Sequence, residues 1–219
     1  MDDPIVGLTA ALCGMGTLLV VIVAVIGVRG QRRRRARMRQ WADRHGWTLT
    51  RRPAVDWGRS MPGGNPDGIE HLFTRVIDGR RVDVAEYSVT DAGDGTTQNT
   101  HHWVVTATTL RRPLPGMSLA PRDPVSRLAW KLVGGEDTAT GDRDFDRRFR
   151  VRAGEPAAVR RWLSGQLIAA QLAGRVPPAW QVHGAGLLCH RPGALDLDEI
   201  PAHAAATVTL ARLLEDGGR

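Results

Sequence analysis

The sequence is poor in the residue groupings from which recognisable catalytic centres are built. Only two cysteines are present. Cys13 lies in an apolar run and Cys189 in a strand-like stretch expected in a reducing compartment, so neither a disulfide nor a C-x-x-C metal knuckle is expected. No H-E-x-x-H occurs, and the glycines of "GDGTT" and "VGGED" lack the Lys-Ser/Thr that would make a phosphate loop. No G-x-G-x-x-G opens a helix, and Ser164 of "LSGQ" falls within a helical stretch rather than on a nucleophile elbow. The acids of "GEDTATGDRDFDRRF" miss the calcium-loop pattern and alternate with arginines, which favours a solvated loop with local ion pairs. These absences point to no catalytic residue, no cofactor and no metal.

Charge is missing from one long segment. Ile5 to Val28, "IVGLTAALCGMGTLLVVIVAVIGV", contains no charged side chain and no Pro, Asn or Gln. At about 1.5 Å per residue this stretch reaches roughly 36 Å as a helix, enough to cross a hydrocarbon core of about 30 Å. A cleaved signal peptide would need a basic start, a shorter apolar core and a small-residue cleavage site. The start "MDDP" is acidic and no A-x-A precedes the arginines; "AALC" places Leu12 where a lipoprotein signal wants a small residue. A transmembrane helix over 5–28 is therefore expected.

Acid is missing from the segment that follows. "VRGQRRRRARMRQW" carries Arg29, Arg32, Arg33, Arg34, Arg35, Arg37 and Arg39 with no carboxylate among them. Removing them, and Asp2 and Asp3, leaves 23 basic and 21 acidic residues in 40–219, a net of +2 within a chain of +7. A nucleic-acid surface would continue into the folded part, so nucleic acid is not the expected partner. A basic flank stays on the cytoplasmic side of a span, which places the N-terminus outside and the C-terminal portion inside at the plasma membrane. There the seven arginines lie near anionic headgroups, each worth about 1 kcal/mol of attraction at the surface. Gly7 with Ala11, and Ala10 with Gly14, make small-xxx-small pairs that suit a weak homo-oligomer through the span.

The spacing predicts a helix over 32–45 with Gly46 as its C-cap. "WTLTRR" (47–52) is strand-like, and 71–89 reads as two strands turning at Asp78-Gly79. Residues 90–100 read as a loop and "HHWVVTATTL" (101–110) as a strand. The Pro-rich 111–124 suits a short edge strand. A strand is expected late in 144–153, one helix over 155–174, a hairpin turning at Gly184–Gly186 within 179–193, and a final helix over 196–216. The expected fold class is α+β: one N-terminal transmembrane helix, then a single domain with an antiparallel sheet and two C-terminal helices. The corresponding divisions are an extracytoplasmic tail (1–4), the span (5–28), a basic juxtamembrane helix (29–46) and a cytoplasmic domain (47–219).

The succession of a span, an arginine-rich flank, "FDRRFRV", a helix, "WQVHGAGLLCHRPG" and a last helix resembles uncharacterised single-pass membrane proteins of actinobacteria. The use of 29 arginines against one lysine, Lys131, fits GC-rich coding. The resemblance implies a membrane location and supplies no activity, cofactor or catalytic residue.

Adjacent strand residues point to opposite faces, so neither the Cys189-His190 pair nor His101-His102 can act together directly. The leading reading is a membrane-tethered, non-enzymatic module that binds a lipid or protein partner at the inner membrane face. The alternative is an enzyme or small-molecule sensor whose pocket gathers distant residues, with His71, Glu86 and His101 as candidates.

Overall fold

The computed structural model describes residues 27, 29–30, 32–57, 61, 65, 67–91, 99–122 and 136–217. The chain divides into two compact units, Met1–His45 and Gly46–Arg219. Apart from Gly27, the span expected at 5–28 lies outside the described residues. Among the described residues no helix is long and apolar enough to cross a membrane.

In the first unit, residues 32–45 form helix α1, as the spacing predicts. Met38, Trp41 and Ala42 are buried along one stripe, while Arg32, Arg33, Arg34, Arg37 and Arg39 are exposed. Trp41 stacks on His45 with ring centroids 4.5 Å apart. Gly46, at φ 68°, follows the helix in the left-handed conformation that ends helices.

The second unit is built on one antiparallel sheet of seven strands. In chain order its elements are β1 (Thr48–Arg51), β2 (Ile69–Ile77), β3 (Arg80–Asp91), β4 (Asn99–Pro121), β5 (Glu136–Asp137), α2 (Arg143–Arg148), β6 (Phe149–Ala153), α3 (Pro156–Trp162), α4 (Gly165–Leu172), β7 (Ala179–Pro192) and α5 (Ile200–Asp216). Asp78 and Gly79 both have positive φ, as a two-residue hairpin turn requires, and they join β2 to β3 where the sequence predicts.

β4 organises the sheet. Its first half pairs with β3, its last five residues pair with β6, and β7 runs along its other edge. Between the pairs Thr109↔Gly186 and Met117↔Val182, eight steps along β4 oppose four along β7. The excess contains Pro113 and Pro115, which cannot donate to a ladder. Extra residues on one strand bend it, so the sheet curves here.

Three expectations are corrected. Residues 111–121 are not a short edge strand but the second half of β4, in which Met117–Leu119 are paired on both sides. Residues 179–192 form one strand rather than a hairpin, because Gly184 at φ 58° absorbs the mismatch with β4 instead of reversing the chain. The helix expected over 155–174 is two: Leu163 leaves helical geometry, and the Ser164 hydroxyl accepts from the Leu167 N–H to start α4.

Each face of the sheet is apolar. On one lies a core of Met117, Leu119, Val151, Trp180, Val182, Leu187 and Cys189 with Leu167, Leu210 and Leu214 of α4 and α5. On the other, Leu72, Ala85, Tyr87, Trp103, Val105 and Leu188 cluster with Met61, and Val55 and Trp57 pack against them. The chain leading to β2 is held on this second face by Gly68. A side chain there would meet the Tyr87 ring and the Ser88 carbonyl at 2.6 Å, so only glycine permits the approach.

Candidate functional site: a groove on the second face of the sheet

The apolar cover of the second face does not reach the region of the bend. Cross-strand register defines what lies there. Asp83 opposes Ala107, which opposes Leu188, and in the next row on the same face Thr109 opposes Gly186. Ala107, Gly186 and Gly116 are small, and the space above them forms a groove of about 990 Å³. Trp57 walls one side; Asp56, Arg81, Asp83, Glu155, Gln181 and His183 supply its polar lining. A cavity of this size with an apolar base and a few polar groups is the usual setting of a ligand site.

The polar groups come from distant segments. Asp83 is fixed by its neighbours: Thr74 Oγ1 donates to Asp83 Oδ1 at 2.6 Å, and Arg81 Nε donates to the same oxygen at 3.1 Å. Glu155 is the N-cap residue of α3 but makes no side-chain capping bond, and both it and Asp56 are exposed. Tyr87, beneath the covered end of this face, has its phenol pKa raised by burial, against the opposing effect of a hydrogen bond from the Asn65 N–H at 2.9 Å.

The residues singled out from the sequence lie elsewhere. Glu86 opposes Val104 and His101 opposes Val89, an odd offset along β4, so Glu86 and His101 point to opposite faces. Glu86 instead meets His102, whose Nδ1 is 2.7 Å from Glu86 Oε1. His71 is half-buried on β2, and none of His71, Glu86 and His101 lines the groove. The arginines expected at a membrane surface, Arg29 to Arg39, fall in the first unit. No local sequence pattern marks Asp56, Trp57, Asp83, Glu155, Gln181 or His183; the one pointer is "HGAG" at 183–186, whose glycines open space rather than turn the chain.

Cys189 and His190 divide between the faces as strand alternation requires. Cys189 opposes Thr106, and its buried thiol is pushed up to about 12 by burial, against hydrogen bonds with Thr207 and Thr106. His190 opposes Val105, and burial pushes it down to about 4. A smaller cavity of about 160 Å³ lies beside Cys189 and His203. Its charged side chains are already joined: Arg191 pairs with Glu199, and His203 Nε2 is 3.3 Å from the same carboxylate. Among the described residues no group of His, Cys, Asp and Glu has metal-binding geometry.

No protein-family model and no curated protein matches the chain. Among solved structures, the mycobacterial trehalose monomycolate transport factor A, TtfA, is similar with a TM-score of 0.53 and 14% sequence identity. The match covers 84% of this chain and 93% of that one. The likeness is one of fold, to a protein of actinobacterial origin.

Proposed function

We propose that the protein is a non-enzymatic, membrane-tethered module that holds an acyl lipid or comparable amphiphile in the sheet groove, at the cytoplasmic face of the plasma membrane. The groove carries this reading: a base of Ala107, Leu188 and small glycines, walled by Trp57, with polar groups at its margins. Each methylene taken from water onto such a surface is worth about 0.8 kcal/mol, so a modest length of acyl chain suffices for binding. The basic segment 29–39 and the apolar run 5–28 support the membrane setting, through attraction to anionic headgroups and through the length criterion. The similar fold of a protein described as a trehalose monomycolate transport factor is in keeping with a lipid-handling role.

The test is titration of the full chain in bilayer nanodiscs with a fluorescent acyl-chain probe, with empty discs as the blank. Saturable binding is expected, and Ala107→Trp, which fills the groove from a half-buried position, removes it while the circular dichroism spectrum is unchanged. Probe binding that is unaffected by Ala107→Trp contradicts the proposal.

A further inference from the structure

We infer that the groove selects its occupant by headgroup, taking an amphiphile with an uncharged, polyhydroxylated head such as a glycosyl group and rejecting an anionic one. The inference rests on the groove being the amphiphile site. Three carboxylates, those of Asp56, Asp83 and Glu155, line the groove against one guanidinium, Arg81. That guanidinium is already engaged by Asp83 at 3.1 Å. The local field is therefore negative, opposite in sign to the arginine run at 29–39. An anionic head in the groove meets like charge from Asp56 and Glu155, which disfavours it relative to a neutral one.

A cationic head is disfavoured for a different reason. It accepts no hydrogen bond, so it offsets the carboxylates but offers no acceptor to Arg81 or to the Thr109 hydroxyl. A sugar hydroxyl both donates and accepts. It can donate to Asp56 or Glu155 and accept from Arg81 or Thr109, with no charge of its own to desolvate. Trp57 adds an amphipathic ring against which the C–H face of a pyranose packs. The mixture of donors and acceptors beside one aromatic ring thus fits a neutral polyol, whose alkyl chain would lie over Ala107 and Leu188. The two charged regions then have separate partners: the arginines the anionic bilayer surface, the groove a neutral head.

The experiment displaces the acyl-chain probe from the full chain in nanodiscs with four dodecyl amphiphiles below their micellar concentrations: the maltoside, the sulfate, the trimethylammonium salt and dodecanol. The maltoside is expected to compete at a concentration at least about tenfold below that of the sulfate or the ammonium salt, a difference of about 1.4 kcal/mol. The double variant Asp56→Asn/Glu155→Gln, at two exposed positions, is expected to narrow the gap between maltoside and sulfate. If the sulfate or the ammonium salt competes as well as the maltoside in the wild-type protein, headgroup selection is wrong while the amphiphile site stands. If none of the four displaces the probe, the groove is not the amphiphile site and both readings fall.

Discussion

Arg80 Nη2 and Glu215 Oε2 lie 2.5 Å apart although 135 residues separate them in sequence. Both side chains are buried. Glu215 Oε1 also accepts the Arg111 N–H at 2.7 Å, and Arg80 Nη1 donates to the Thr109 carbonyl at 3.1 Å. The pair therefore ties the last turn of α5 to the β3–β4 region, immediately behind the bend that shapes the groove. Burial by itself raises the Glu215 pKa, but hydrogen bonds and charge from Arg80 and Arg111 outweigh it, and the net shift is downward.

Removing one partner leaves the other buried and uncompensated. Arg80→Ala or Glu215→Ala is expected to cost about 3–5 kcal/mol, seen as a lowered midpoint in thermal unfolding followed by tryptophan fluorescence. The double variant Arg80→Met/Glu215→Leu should recover most of that loss, because replacing a buried pair with apolar side chains is often neutral. Single variants that melt like the wild type would show that the pair does not anchor α5.

Stability is expected to decline below neutral pH in two windows. His190 and His203 both have folded pKa values lowered by burial, His190 from 6.5 to about 4. Protons then favour the unfolded chain, so this contribution is complete above pH 6.5 and is lost as the pH falls towards 4. The depressed Glu215 carboxyl acts lower: its contribution is present above the ordinary 4.5 and disappears as the pH falls through its folded value. Unfolding midpoints measured from pH 7 to about 2 check this, and His190→Gln should flatten the upper window. A midpoint that rises on acidification from 7 to 5 contradicts the assignment.

Cys189 is expected to be inert in the folded protein. Its thiol is buried and pushed up to about 12, so almost no thiolate exists at pH 8. In a Cys13→Ser background, iodoacetamide should label the chain only after unfolding, which mass spectrometry reads directly. Rapid native labelling would revive Cys189 as a reactive group.

The proposed membrane orientation is tested by reporters fused after Arg219. A cytoplasmic reporter should be active and a periplasmic one silent. Changing four of the arginines between Arg32 and Arg37 to glutamine should weaken this bias, because the positive flank sets it. A periplasmic reporter active in the wild-type chain reverses the topology.

The legible parts of the fold were those fixed by local chemistry. Asp78-Gly79 was readable because both turn positions need positive φ, and α1 because its apolar stripe repeats at helical spacing up to Gly46. In the sequence Ser164-Gly165 reads as helix interior, since a cap inside an apolar run differs from a helical serine only by the geometry around it. Gly184–Gly186 reads as a turn, and glycine marks a bulge with the same residues. The groove was illegible for a further reason. Asp56, Asp83, Glu155 and Gln181 occupy four separate segments, and the tertiary fold rather than local spacing brings them to one groove.

The most direct test of the lipid-holding groove is photo-crosslinking in native membranes with an acyl amphiphile bearing a diazirine near the end of its chain. Peptides are mapped by mass spectrometry in the wild type and in Ala107→Trp. Adducts on the segments around Trp57, Ala107 and Leu188, lost in the variant, are the expected result. Adducts confined to residues 5–28, or adducts at the groove that persist in Ala107→Trp, would contradict it.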